Sequence, residues 1–384
     1  MYSLDEFAAG KLAGLERARL RRSPVTTARQ GIYVERGGRR LLSFSCNDYL
    51  NLSGHPAIIK AAVEAAERYG IGAGASRLVT GNHPLYEQLE NRLARLKGTD
   101  ASCVFGSGYL ANTGIIPALV GPGDLVLVDE LSHACINGGA KLSGATVHPY
   151  RHCDIEELKA LLDEHRPRHA HALIATDGVF SMDGDLAPLS ELSVVAQRYD
   201  AWLLADDAHG LGVVGRGRGS VFANGPADVP LQMGTLSKAV GSYGGYLCAS
   251  QPVIDLVRTR ARSFIYSTGL PPPVVAAAIA ALDLIVNEPD YVAMPLKKAR
   301  VFTRALNLPE AQSAIVPVII GDTDTTLAAS QLLEDEGFLV VPIRPPTVPA
   351  GTARLRFAFT AQHPDTEIER LAGIVRSRVL SDRI

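Results

Sequence analysis

Between residues 101 and 249 the chain alternates short apolar runs of strand character with stretches of helical periodicity. A mostly parallel sheet requires this, because each strand must be re-entered through a crossover of a dozen or more residues, usually a helix. Strands are predicted near 101–105, 124–128, 145–149, 171–176, 201–205, 229–233 and 246–249. Helices are predicted near 84–97, 109–119, 154–164 and 188–199, with Asp154 as an N-cap and Pro188 suited to a first turn. The run 251–306 reads as mainly helical, broken once by Pro271, Pro272 and Pro273. Beyond it the order is strand IVPVII, a helix over 324–336, strands FLVVPI and ARLRFAF, and a final helix from 365. The expected fold class is α/β, in three parts: an N-terminal helix and arm over 1–44, a large domain over 45–287 with helices flanking its sheet, and a smaller α+β domain over 288–384.

A chain of 384 residues can bury a large core, and a net charge of −2 gives no nucleic-acid footprint. Arg17, Arg19, Arg21 and Arg22 form the one local basic group and are read as a face of the N-terminal helix. MYSLDEFAAG puts acids where a signal peptide carries a basic region, so a cytoplasmic location is expected. No membrane partner is expected either, since VVAAAIAALDLIV is too short to span a bilayer and contains Asp283. Cys46, Cys103, Cys135, Cys153 and Cys248 lack paired spacing, which argues against a disulfide framework and against a metal site.

The chemistry is concentrated at predicted strand ends, where doubly wound sheets bind ligands. Lys238 stands in GTLSKAVGSYGGY, downstream of Asp206 in DDAHG. A lysine amine can close a Schiff base on the aldehyde of pyridoxal phosphate, and a carboxylate against the ring nitrogen keeps the ring protonated as an electron sink. Either motif alone is weak: a lysine among glycines is usually a solvated loop charge, and TLSK resembles S-x-x-K only loosely, with Thr235 as its nucleophile and no companion motif. Other strand ends add to the pair. Gly106, Gly108 and Tyr109 in FGSGYLANTG open a helix whose free N–H groups suit a phosphate. His133 in DELSHAC could stack on a flat ring, Ser181 in TDGVFSMDGD could donate a hydrogen bond, and His209 could reach a phenolic oxygen.

With these motifs in this order, joined by SCNDYL, GIGAGASRLVTGN and FIYSTGLPP, the chain resembles the α-oxoamine synthase family of fold type I pyridoxal phosphate enzymes from residue 45 to the end. The resemblance implies Lys238 as Schiff-base lysine and proton shuttle, Asp206 at the pyridine nitrogen, His209 at the phenolic oxygen and His133 stacked on the ring. It assigns Gly108, Tyr109, Ser181 and Thr235 to the cofactor, with Tyr266, Ser267 and Thr268 completing the phosphate site of a neighbouring subunit in a homodimer. Members condense an amino acid with an acyl thioester and release carbon dioxide. The stretch IRPPTVPAGTARLRFAFTAQH is most similar to members that join L-alanine to a pimeloyl thioester, carried by coenzyme A or acyl carrier protein. There Arg356 matches the arginine for the amino-acid carboxylate, and Arg21, Asn47, His133 and Thr347 match substrate contacts. A solvent-facing edge strand would instead leave Arg354 and Arg356 as surface charges. The pattern departs at Asn51, Ala73 and Ala75, which stand where glycines are usual and bear on the acyl entrance. Glycine- or serine-using siblings and a non-catalytic subunit of this fold are the alternatives.

Overall fold

A computed structural model describes residues 3–18, 20–225 and 227–380. Helix α1 (Leu4–Arg17) starts in a capping box between Ser3 and Glu6 and buries none of its residues. Because it ends at Arg17, Arg21 and Arg22 lie beyond it in chain without regular secondary structure, and the expected basic helix face does not form; Arg19 lies outside the described residues. Strands β1 (Ala28–Gln30), β2 (Tyr33–Arg36) and β3 (Arg39–Ser43) make an antiparallel meander, followed by helices α2 (Pro56–Tyr69) and α3 (Leu85–Lys97).

The central sheet contains β4 (Ala101–Phe105), β5 (Leu125–Asp129), β6 (Thr146–Tyr150), β7 (Ala172–Asp177), β8 (Trp202–Asp206), β9 (Leu231–Thr235) and β10 (Gly245–Ala249). Their order is β4-β10-β9-β8-β7-β5-β6; β5 to β9 run parallel and β10 lies antiparallel between β9 and β4. Each predicted strand is present within two residues of its expected bounds. LVLVD of β5 and ALIATD of β7 are buried at every position, as strands covered on both faces must be. Crossovers run through α4 (Gly108–Leu119), α5 (Ala134–Ser143), α6 (Ile155–His165) and α7 (Leu189–Arg198), and Asp154 does cap α6 by accepting from Glu157 N–H. Helix α5 lies outside the sequence expectation because ACINGGAKLS is weakly helical on propensity. Its Gly139 serves packing instead, since a Cβ there would lie 2.5 Å from the Asn112 carbonyl on α4.

The helical run after the sheet is broken more often than predicted. It comprises α8 (Gln251–Arg260), α9 (Arg262–Ile265), α10 (Pro272–Asn287), α11 (Pro289–Val292) and α12 (Met294–Ala305), with breaks at Ala261, Glu288 and Ala293 besides the one before Pro272. Pro272 and Pro273 sit in the first turn of α10, where a missing N–H is harmless. Among the described residues no single helix is long and apolar enough to cross a membrane.

The C-terminal unit holds β11 (Ile315–Gly321), α13 (Thr323–Asp335), β12 (Phe338–Leu339), β13 (Pro342–Ile343), β14 (Ala353–Ala358) and α14 (Asp365–Ile374). FLVVPI is not one strand: β12 pairs in parallel with β3, whereas β13 pairs with β14. Leu42 and Phe44 thereby enter a core with Phe302, Phe338, Phe357 and Phe359, so the end of the N-terminal arm packs into the C-terminal unit. Strand β14 is the middle of β11-β14-β13, and Arg354 and Arg356 are buried at 3% and 7% exposure rather than displayed on an edge.

Candidate active site

At the carboxyl edge of the sheet a cavity of about 170 Å³ is lined by Gly108, Tyr109, His133, Asp206, His209, Thr235 and Lys238, together with Cys135 and Asp177. Every cofactor residue read from a strand end lies in this lining except Gly106 and Ser181, and one reason is register. β7 and β8 run side by side so that Asp177 pairs with Asp206, bringing two carboxylates to the same edge. Burial, then repulsion from Asp206, raises the Asp177 carboxyl well above its usual range. Asp206 is held from two sides, its Oδ2 accepting from Asn112 Nδ2 at 2.7 Å and its Oδ1 from Ala208 N–H at 3.0 Å.

Lys238 reaches the cavity from the loop after β9, and its Nζ lies 2.7 Å from His209 Nε2. Its side chain keeps an open side toward the cavity, but protein atoms surround the amine. Burial lowers its pKa to about 8, against the opposing pull of Asp206 and Asp177. His209 is driven well below its ordinary value by burial and by Lys238, and its Nδ1 lies 2.6 Å from the buried Tyr49 hydroxyl. His133 caps α5, its part-buried Nδ1 accepting from Cys135 N–H at 3.2 Å, while the residue as a whole keeps contact with solvent. Burial also lowers the His133 pKa.

A phosphate end fits beside α4, whose first residue is Gly108. A Cβ on Gly108 would stand 3.4 Å from Thr235, and one on Gly245 would lie 2.4 Å from the Ser107 carbonyl, so glycines hold the helix N-terminus against the sheet. An anion cradle, a deprotonatable amine and an anchored carboxylate in one cavity match the phosphate, aldehyde and pyridine nitrogen of pyridoxal phosphate.

The remaining expected residues divide. Arg356 Nε donates to the Ser181 carbonyl at 2.5 Å, and both of its Nη atoms lie 3.3 Å from Asn47 Oδ1, so Arg356, Ser181 and Asn47 form one cluster. Arg356 belongs to the charge environment of both Lys238 and His209. Thr347 lines a different cavity of about 600 Å³, with Leu15, Leu20, Arg22, Arg36 and Arg344. Arg21 lies outside that lining and pairs with Glu16 at 3.0 Å on the surface. Ser267 and Thr268 lie outside the Lys238 cavity, in the segment after α9 where Tyr266 is 72% exposed and Thr268 bridges to Ser76. Asn51 has φ +53, the left-handed turn that an asparagine tolerates. Ala75 accepts from Gly269 N–H at 3.0 Å.

Sequence reasoning passed over Tyr49, Asn112 and Asp177, although all three sit within quoted motifs. A signal was available for Asp177, a carboxylate ending a largely apolar strand as Asp206 does. None was available for Tyr49, whose partner is 160 positions away.

With this fold and site, the chain belongs to the aminotransferase class I and II family, whose model matches residues 39–375, and it is a fold type I pyridoxal phosphate enzyme. A protein of Beijerinckia indica called 8-amino-7-oxononanoate synthase is 62% identical over 98% of this chain and 98% of its own. A namesake from Methylocella silvestris is 64% identical over 91% of this chain and 99% of its own. Among solved structures, the Sphingomonas wittichii serine palmitoyltransferase superimposes with TM-score 0.91 at 32% identity, covering 99% of each chain. The 8-amino-7-oxononanoate synthase of Francisella tularensis superimposes with TM-score 0.76 at 26% identity, over 90% of this chain and 99% of its own.

Proposed function

We propose that this chain joins L-alanine to a pimeloyl thioester, releasing carbon dioxide and the free thiol carrier and forming 8-amino-7-oxononanoate for biotin biosynthesis. The observation that carries this reading is identity of 60–64% over nearly the whole length to proteins of that name, twice the identity to serine palmitoyltransferases.

When bound, pyridoxal phosphate supplies an aldehyde for the amine and a ring that accepts the electrons released at the substrate α-carbon. Lys238 holds the cofactor and moves the α-proton, for which its amine must be neutral; a pKa of about 8 makes that form accessible near neutrality. Asp206, oriented by Asn112, would hold the pyridine nitrogen. His209, oriented by Tyr49, would hold the phenolic oxygen, and His133 would hold the ring face. Gly108, Tyr109, Ser181 and Thr235 position the cofactor, while Ser267 and Thr268 serve the site of a second copy in a homodimer. Exposure of Tyr266 and Thr268 in this chain supports that arrangement. Arg356 receives the amino-acid carboxylate beside Asn47, and Thr347 with the arm around Arg21 receives the acyl side. The residue ranges 45–287 and 288–384 act as the two domains that enclose these groups.

Thiol release from pimeloyl-coenzyme A, compared across L-alanine, glycine and L-serine, tests the reading. Release with alanine alone supports it, and preference for glycine or serine overturns it. The TM-score of 0.91 to a serine palmitoyltransferase favours serine as the second reading, which the same comparison decides. Repeating the assay with the acyl carrier protein thioester identifies the carrier.

A further inference from the structure

Outside the cavity, His152 lies between two carboxylates. Its Nδ1 is 3.2 Å from Asp129 Oδ1 and its Nε2 is 2.8 Å from Asp185 Oδ2, with the ring edge-on to Phe180 at 4.3 Å. Only an imidazolium carries a hydrogen on both nitrogens, so only the protonated ring satisfies both acceptors. Burial pulls its pKa down, but the hydrogen bonds to Asp129 and Asp185 outweigh that and hold it up to about 12.

The two carboxylates belong to different functional loops. Asp129 ends β5 and leads into the loop that carries His133, whose N–H donates to Asp177 Oδ1 at 3.1 Å. Asp185 closes a tight hairpin: Val179 bridges to Leu186, and Phe180 N–H donates to the Asp185 carbonyl at 3.0 Å. The tip of that hairpin meets β14. The Ser181 carbonyl accepts from Arg356 Nε at 2.5 Å, and the Asp183 carboxylate pairs with Arg354. Polar contacts joined by the hairpin backbone therefore run from Asp129 through His152 and Asp185 to the guanidinium of Arg356.

The geometry of Arg356 explains what such a series can achieve. Its Nε is committed to Ser181, which sets the plane of the guanidinium, whereas its two Nη atoms make long 3.3 Å contacts to Asn47 Oδ1. Those two donors form the fork that a carboxylate takes in bidentate fashion. Displacing the Ser181 carbonyl rotates the fork.

We propose that His152 is a positioning residue for the amino-acid substrate, acting through the 179–186 hairpin and Ser181 on Arg356. This rests on Arg356 receiving the substrate carboxylate as argued above. Removing the imidazolium would leave Asp129 and Asp185 facing each other uncompensated and free the base of the hairpin.

The test titrates cofactor-loaded wild type, His152→Leu and His152→Gln with L-alanine, following cofactor absorbance, and then measures kcat and both KM values. His152→Leu should weaken L-alanine binding about tenfold and raise its KM alike, with kcat, cofactor affinity and thioester KM within about twofold. His152→Gln, keeping one donor, should fall between and covers the case in which His152→Leu fails to fold. Unchanged L-alanine affinity in a folded variant sinks the inference, as does equal loss of cofactor, thioester and amino-acid binding, which would mark His152 as merely structural. Asp129, His152 and Cys153 also lie close enough to share an ion, so zinc that tightens L-alanine binding to wild type would reassign the cluster. If wild type itself binds no amino acid, the assigned reaction and this inference fall together; if only the variants match wild type, the reaction stands.

Discussion

Two lysines on either side of the aspartate pair after β8 show what this sheet edge does with a buried charge. Lys97 is fully buried; its Nζ donates to Asp207 Oδ2 at 2.6 Å and to the Arg218 carbonyl at 2.8 Å, with the pair at 0% exposure on both sides. Lys238 reaches the cavity beside Asp206, and its direct partner is not a carboxylate but His209. One lysine is locked against a carboxylate in the floor beneath the site. The other is left able to lose its proton, at a pKa of about 8. Glycines enforce the first arrangement: a Cβ on Gly210 or Gly219 would lie 1.9 or 1.6 Å from the Asp207 carboxylate. The lesson is that the setting decides the role: Lys97 has a carboxylate at hydrogen-bond distance, whereas Lys238 has an imidazole there and burial lowers its pKa.

Breaking the contrast at Lys238 should have the largest effect. Lys238→Ala should reduce thiol release by at least about 10²–10⁴-fold while leaving the urea unfolding midpoint close to wild type. Lys97→Ala should do the reverse, lowering the unfolding free energy by about 3–5 kcal/mol by stranding Asp207 without its cation. Equal effects of both variants on stability would show that the two lysines are not divided in this way. Tyr49→Phe, which leaves His209 Nδ1 buried without its 2.6 Å partner, should lower kcat about tenfold in a protein that still folds.

The smallest effect is a shift in pH dependence. Capture of added pyridoxal phosphate by cofactor-free protein needs the neutral Lys238 amine, so its stopped-flow rate should rise with pH and level off above about 8. Asp206 holds that pKa up, so Asp206→Asn should move the midpoint downward, toward acid. A midpoint near the ordinary lysine value, or an upward shift in the variant, would contradict the environment described for Lys238.

The strand series was readable because fully buried parallel strands are local apolar runs with polar ends, and those ends are where Gly108, Asp206 and Lys238 were found. The helical run 251–306 was read less well. The break at Glu288 falls just before Pro289, which disfavours helical backbone in the residue ahead of it, whereas the break at Ala261 has no proline or glycine to mark it. FLVVPI read as one strand because its hydrophobicity is continuous, yet tertiary pairing sends its two ends to different sheets. Thr347 and Arg21 show a further limit: adjacency in a motif, or in a basic run, places neither of them at the Lys238 cavity.

The sequence by itself determined the alternating architecture, the cofactor chemistry of Lys238 and Asp206, and the family, since each rests on a short-range pattern. Only the tertiary structure decided that Asp177 stands beside Asp206, that Tyr49 orients His209, that Asn112 anchors Asp206, and that Arg356 is buried against Ser181 and Asn47. The reason is physical: a side chain's pKa and orientation depend on what burial and register bring within about 3 Å of it, and those partners come from segments far apart along the chain.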